Sequence, residues 1–231
     1  MRPYKCIFFD LDHTLWDYET NSCTTLRELY ASFGLQGLGL TDCSSFEQQF
    51  KRVNLQLWDL YDRGIIGSEV IRQQRFKQIL EHFSITDDKL IADLSVAYMD
   101  SCPKKGTLLP HALETLHYLS ERYSMTVVTN GFEEVQHIKM TAGNLHPFFA
   151  HIVTSQKAGC KKPSRGIFEY ALKANNVLPN EAIMIGDNLV TDIGGAQNAS
   201  IDSVFFNPEK IVHEVAVKHE ITSLAELQNI L

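Results

Sequence analysis

The stretch Cys6-Ile7-Phe8-Phe9-Asp10-Leu11-Asp12-His13-Thr14 decides how the rest of the chain is read. Four apolar residues run without interruption and then stop at two aspartates. A continuous apolar run with an abrupt polar end is the pattern of a strand buried on both faces, as in a parallel sheet. The pattern recurs. Met125-Thr126-Val127-Val128 ends at Thr129-Asn130-Gly131, and Ala182-Ile183-Met184-Ile185 ends at Gly186-Asp187-Asn188. His151-Ile152-Val153 and Ser203-Val204-Phe205-Phe206 are weaker copies. Helical patterns lie between them. Pro110 is placed for the first turn of a helix carrying Leu113, Leu116 and Leu119, and Ser164 for the N-cap of one carrying Ile167, Phe168, Ala171 and Leu172. Alternating strands and helices predict a doubly wound α/β core, in which ligands bind beyond the carboxyl ends of the strands. The polar clusters fall at those ends.

The segment from about Trp16 to Pro103 reads differently. Leu26, Leu29, Tyr30 and Phe33 share one helical face; so do Phe46, Phe50, Val53, Leu57 and Leu60, and then Phe76, Ile79, Leu80 and Phe83. Thr86, followed by Asp87 and Asp88, resembles a helix start ahead of Leu90, Leu94 and Ala97. No strand-like alternation appears. The spacing predicts an all-helical insertion after the first strand, returning through the linker-like Cys102-Pro103-Lys104-Lys105-Gly106. The expected division is a core of residues 1–15 and 104–231, with an inserted helical domain of residues 16–103. This accounts for a length of 231 residues, about one and a half typical domains.

Composition narrows the function. With 21 basic against 28 acidic residues the net charge is −7. A nucleic-acid-coating surface needs the opposite excess to displace counterions, and an anionic membrane surface is equally disfavoured. The five cysteines, Cys6, Cys23, Cys43, Cys102 and Cys160, are odd in number and widely spaced, without a C-x-x-C pair. That speaks against a disulfide framework and for a reducing compartment. Asp10 and Asp12 interrupt the first apolar run too early for a signal peptide, so a cytoplasmic protein is expected.

Each strand-end cluster carries a chemical reading beside a plain one. Asp10 and Asp12, two apart in extended chain, project to one side, and unpaired acids at the mouth of an apolar strand invite a divalent cation. The plain reading is an acidic turn. Gly186-Asp187-Asn188-Leu189-Val190-Thr191-Asp192 adds two carboxylates after another strand, with Asp192 read equally well as a helix cap. Thr129-Asn130-Gly131 offers a hydroxyl and successive main-chain N–H groups that suit phosphate oxygens, or simply a turn. Lys161 and Lys162 ahead of Pro163 supply cations that suit a phosphate, or a solvated basic turn.

Taken in order, D-x-D-x-T, T-N-G, K-P and G-D-x-x-x-x-D resemble the motif series of the haloacid dehalogenase superfamily. The resemblance covers essentially the whole chain. It implies a Rossmann-like, mainly parallel sheet core, with the helical insertion in the position of the family's alpha-helical cap. Thr129-Asn130-Gly131-Phe132, together with Leu57-Trp58-Asp59-Leu60-Tyr61-Asp62-Arg63-Gly64, is similar to the pyrimidine-nucleotide 5′-nucleotidase branch. By motif position, the resemblance implies Asp10 as a nucleophile forming an aspartyl-phosphate and Asp12 as the acid and base. It implies Mg2+ on the Asp10 carboxylate, the Asp12 main-chain carbonyl and Asp187, with Asp192 in the outer shell or ligating directly. Thr129, Asn130 and Gly131 would bind phosphoryl oxygens, and Lys162 would neutralise nucleophile and phosphate. One departure is His13, where many members carry glycine.

The expected activity is hydrolysis of a small phosphomonoester, a nucleoside 5′-monophosphate first. A sugar-phosphate phosphatase, a phosphomutase and a dehalogenase are the alternatives within the superfamily. Asp12 disfavours the dehalogenase, because displacing a halide needs no proton donor. A receiver-like phosphoacceptor domain is a reading from a different class, disfavoured by the length and the insertion. Trp16, Trp58 and Tyr61 are placed to stack on a base, or to fill the cap core or the cap–core seam, and Arg63 is a weaker substrate contact. The expected partner is a small phosphorylated metabolite, neither nucleic acid nor membrane, for a monomer or weak homodimer.

Overall fold

The structure is a computed structural model and describes residues 4–231. Its chain divides into two compact units: the residues up to Tyr18 with Gly106–Leu231, and Glu19–Lys105. The crossings therefore lie a few residues later than the sequence pattern suggests. Trp16 falls within the first unit because it bridges Leu108 and because Asp17 N–H donates to the Thr107 carbonyl at 3.1 Å.

The helical unit comprises α1 (Tyr18–Ser32), whose first residue belongs to the other unit, with α2 (Cys43–Asp62), α3 (Ser68–His82) and α4 (Asp88–Ser101). Asp42 caps α2 by accepting from Ser45 N–H at 2.9 Å, and Asp87 rather than Thr86 caps α4 by accepting from Leu90 N–H at 3.0 Å. The apolar stripes bury Phe46, Phe50, Val53 and Leu57 of α2 against Phe76, Ile79 and Leu80 of α3. Phe46, Phe50, Phe76 and Tyr98 form an aromatic cluster with ring centroids 4.9 to 6.4 Å apart. The buried Arg75 guanidinium lies over Phe50 and Tyr98, at 5.6 and 5.3 Å.

The other unit is a six-stranded, wholly parallel sheet of β1 (Cys6–Phe9), β2 (Ser124–Thr129), β3 (His151–Thr154), β4 (Ala182–Gly186), β5 (Asp202–Phe206) and β6 (His219–Ile221), ordered β3-β2-β1-β4-β5-β6. The five apolar runs are the first five strands. β6 escapes a periodicity reading because it is three residues long and only Ile221 is buried. The flanking helices are α5 (Ala112–Ser120), α6 (Glu133–Ala142), α7 (Ser155–Ala158), α8 (Arg165–Asn175), α9 (Gly195–Asn198) and α10 (Leu227–Ile230). On one face Phe8, Val128, Val153 and Met184 pack against Ile167, Phe168, Ala171 and Leu172 of α8. Ser164 caps α8 as its position predicts. Pro110 does not start α5. His111 follows it with φ 65, in the left-handed region, so the helix begins at Ala112 and its inward face is Ala112, Thr115, Leu116 and Leu119, with Leu113 exposed. Among the described residues no helix is long and apolar enough to cross a membrane.

The register of the central strands positions the polar clusters. Phe9 is level with Val127 of β2 and Ile185 of β4, so the three strands end within two residues of one another. The chain winds outward from β1 in both directions, which makes the carboxyl end of β1 the topological switch point. In the helical unit, Phe76→Ala should cost about 3–5 kcal/mol, as for other buried phenylalanines. Urea unfolding followed by far-ultraviolet dichroism measures this.

Candidate active site

Asp10 is the first residue beyond β1, and its N–H still donates to the Ile185 carbonyl of β4 at 2.9 Å. That bond continues the ladder and fixes the carboxylate at the strand mouth. The chain then curls tightly. The Leu11 carbonyl receives the N–H groups of Leu15 and Trp16 at 2.9 Å, and His13 sits at φ 63. A positive φ suits glycine because no Cβ crowds the backbone, so His13 adopts here a conformation that side chains rarely take. Thr14, fully buried, donates its hydroxyl to Asp187 Oδ1 at 2.8 Å.

Asp187 and Asp192 come from the end of β4. Asn188 caps the next turn by accepting from Val190 and Thr191 N–H at 2.9 and 3.0 Å. That turn, Leu189–Gly194, is π-helical, a winding often found at functional sites. It swings Asp192 back toward the strand, where Oδ2 accepts from Asn188 N–H at 3.0 Å. The carboxyl lies so close over Gly186 that a Cβ there would overlap it. Gly186 is therefore required by close approach, not by its dihedral angles.

Lys162 is buried, and its Nζ donates to Asp10 Oδ1 and to Asp192 Oδ1, both at 2.6 Å. Its backbone is held by Asn130, whose side-chain Nδ2 donates to the Lys162 carbonyl at 3.0 Å while Oδ1 accepts Lys162 N–H at 2.8 Å. The end of β2 thus positions the lysine that faces the end of β1. Thr129 Oγ1 accepts Gly131 N–H at 3.0 Å, and its own O–H is a donor for another partner.

Carboxylate oxygens of Asp10, Asp187 and Asp192 all lie within 4.8 Å of one another. If all were ionised, three carboxylates against the one ammonium of Lys162 would leave two negative charges in excess, and burial resists that state. Burial, and then the charges of Asp192 and Asp187, push the Asp10 carboxyl well above its ordinary value despite Lys162. Burial and the neighbouring Asp192 raise Asp187 to about 6. Burial alone would lower Lys162, but Asp10 and Asp192 outweigh it and hold the ammonium charged.

Asp12 stands apart from this cluster. Its Oδ1 accepts from Lys139 Nζ at 2.6 Å and its Oδ2 from Gln136 Nε2 at 3.2 Å, both partners on α6. Trp16 is fully buried within the α/β unit, with Lys139 Nζ 4.4 Å from its ring centroid, so it is not a base-stacking surface. Within the helical unit, Tyr61 is buried, Trp58 is half-buried and meets Tyr61 edge-on at 5.4 Å, and Arg63 pairs with Asp59 on the surface. Sequence reasoning missed the parts played by the Asn130 side chain, Thr14, Gln136 and Lys139. A spacing signal existed for the last two, because residues three apart share a helix face.

The site is thus an acid-lined strand mouth at the switch point of a doubly wound sheet, with a buried lysine and a hydroxyl converging on it. The model of the haloacid dehalogenase-like hydrolases matches residues 7–206, and the chain belongs to that family. Membership overturns the receiver-like reading. The chain is 28% identical to the HAD-hydrolase YfnB of Bacillus subtilis, over 100% of its own length and 97% of that protein's. A crystal structure of YfnB bound to magnesium superposes with a TM-score of 0.88 at 27% identity, covering 99% of each chain. The pyrimidine 5′-nucleotidase YjjG of Escherichia coli is 28% identical over 97% of this chain and 96% of its own. The glyceraldehyde 3-phosphate phosphatase of Pyrococcus furiosus is 31% identical over 100% and 94%.

Gly186→Ala should force the Asp192 carboxyl off its seat and destabilise the α/β unit by about 1–3 kcal/mol, the usual cost of overpacking. Thermal unfolding beside a distant control such as Gly37→Ala, where an added Cβ meets nothing within 4 Å, separates this from a generic glycine effect.

Proposed function

We propose that this chain is a magnesium-dependent phosphatase that hydrolyses a small phosphomonoester through an aspartyl-phosphate on Asp10, with a nucleoside 5′-monophosphate as the leading substrate class. The observation that carries the reading is the buried cluster of three carboxylates, Asp10, Asp187 and Asp192, that shares the one ammonium of Lys162. Hard carboxylate oxygens short of positive charge fit a divalent cation of the magnesium type. Asp10 and Asp187 would hold it with the Asp12 main-chain carbonyl, and Asp192 would orient the site through Lys162. When bound, the ion supplies charge neutralisation that lets a dianionic phosphate approach a carboxylate.

The chain's own residues supply the remaining chemistry. An Asp10 oxygen attacks phosphorus and the ester bond breaks. Lys162 favours the ionised form of Asp10 and opposes the charge spreading over the phosphoryl oxygens. The Thr129 O–H and the Asn130 N–H orient those oxygens, while the Gly131 N–H holds the Thr129 hydroxyl in place. Asp12 passes a proton to the departing alkoxide, then takes one from the water that attacks the acyl-phosphate, releasing phosphate and free Asp10. Proton donation is needed for an alkoxide and not for a halide, so Asp12 favours phosphate esters over haloacids.

Two relatives frame the substrate. YjjG carries the name of a pyrimidine 5′-nucleotidase, and the Pyrococcus furiosus relative that of a glyceraldehyde 3-phosphate phosphatase. The first supports a nucleotide, together with the half-buried Trp58 as a flat surface for a base. The second makes a sugar phosphate or triose phosphate the alternative. A cytoplasmic monomer or weak homodimer remains the proposed setting.

Asp10→Asn should abolish phosphate release with the unfolding temperature kept; retained turnover would remove Asp10 as the nucleophile. Chelation by EDTA should stop activity and added Mg2+ should restore it, whereas indifference to chelator refutes metal dependence. Trp58→Ala should raise KM for a nucleoside monophosphate several-fold more than for p-nitrophenyl phosphate, and equal changes would assign Trp58 to packing.

A further inference from the structure

Asp12 has both carboxylate oxygens engaged, and neither partner comes from the acid cluster. Lys139 Nζ reaches Oδ1 at 2.6 Å and Gln136 Nε2 reaches Oδ2 at 3.2 Å. Lys139 and Gln136 are both nearly buried on α6, three residues apart, and so face the same way. The Lys139 ammonium sits 4.4 Å from the Trp16 ring centroid and 5.6 Å from that of Tyr18. Trp16 is itself tied to Asp12 by a backbone bridge. The acid, its cationic partner and the aromatic floor beneath that partner thus form one compact assembly within the α/β unit.

The glycine of T-N-G belongs to the same assembly. The Gln136 amide lies directly on the Gly131 Cα, where any Cβ would overlap the amide nitrogen. A larger residue at 131 would push Gln136 off Asp12. The strand-end motif and the helix after it are therefore coupled through one side chain.

We propose that Lys139 and Gln136 are positioning residues for Asp12, with Trp16 and Gly131 fixing Lys139 and Gln136 in turn. They hold the carboxylate at a set place and orientation relative to the strand mouth. A proton donor that must meet one particular oxygen depends on such restraint, because small misplacements cost large factors in rate. This positioning role rests on the proposed acid–base role of Asp12. It adds what makes that role effective, and it predicts which substrates suffer when the support is lost.

The test compares kcat/KM for an alkyl ester, a nucleoside 5′-monophosphate, with that for p-nitrophenyl phosphate, whose leaving group departs without a proton. Lys139→Met should lower kcat/KM for the nucleotide about 10–100-fold, the usual range for losing a supporting partner, with a less than roughly threefold loss on p-nitrophenyl phosphate. Lys139→Arg should restore most of the nucleotide rate. Gln136→Leu should reproduce the discrimination more weakly, and it keeps the test open should Lys139→Met fail to fold. Equal losses on the two substrates, or no rescue by arginine, would overturn the proposal and leave a structural ion pair. Asp12→Asn is the control for the underlying reading. If it discriminates between the substrates and the α6 variants do not, the positioning role alone fails. If it does not discriminate, the acid–base assignment of Asp12 fails.

Discussion

Three aspartate carboxylates held within 4.8 Å of one another, with a single buried lysine among them, form the constraint on which the functional half of this chain depends. Carboxylates resist burial without compensation, since the charged form loses hydration that one ammonium cannot replace for all three. The fold nevertheless presses them together. Parallel register brings Phe9, Val127 and Ile185 level, a glycine at 186 admits the Asp192 carboxyl, and a π-helical turn directs it there. Asn130 then holds Lys162 by both its backbone groups. Each of these local features opposes charge dispersal, and their shared result is a strand mouth short of positive charge.

The second lysine plays a different part. Lys162 lies between two carboxylates of the cluster, whereas Lys139 serves Asp12 and leans on the Trp16 ring. The strand mouth therefore separates two anionic tasks. The clustered acids share Lys162, and the solitary acid is held apart from them by Lys139 and Gln136 of α6.

Much of this was legible in the sequence, for a physical reason. Strands buried on both faces must be apolar throughout, so Cys6–Phe9 and its repeats declared a parallel sheet, and polar residues at their ends had to line its ligand edge. Asp10, Lys162, Asp187 and Asp192 were singled out by the order of the motifs and its resemblance to a family, since each cluster taken alone also reads as a turn or a cap. β6 left no mark, since three residues with one buried side chain carry no period. Pro110 misled because His111 adopts a left-handed conformation that local pattern does not reveal. Asn130 was read through its main-chain N–H, and its side-chain grip on Lys162 depends on a loop 32 residues away. Trp16 read equally as a substrate platform or as packing, because aromatic content is visible in sequence while burial under Lys139 is not. Long-range side-chain partnership is the information that periodicity lacks.

The charge deficit at the strand mouth is tested most directly by titrating Mg2+ into the metal-free chain under calorimetric observation. One ion should bind per chain, with binding lost in Asp187→Asn and kept in Asp12→Asn, whose side chain belongs to Lys139 and whose main-chain carbonyl is unchanged. Absence of saturable binding, or binding that survives Asp187→Asn intact, would contradict the account.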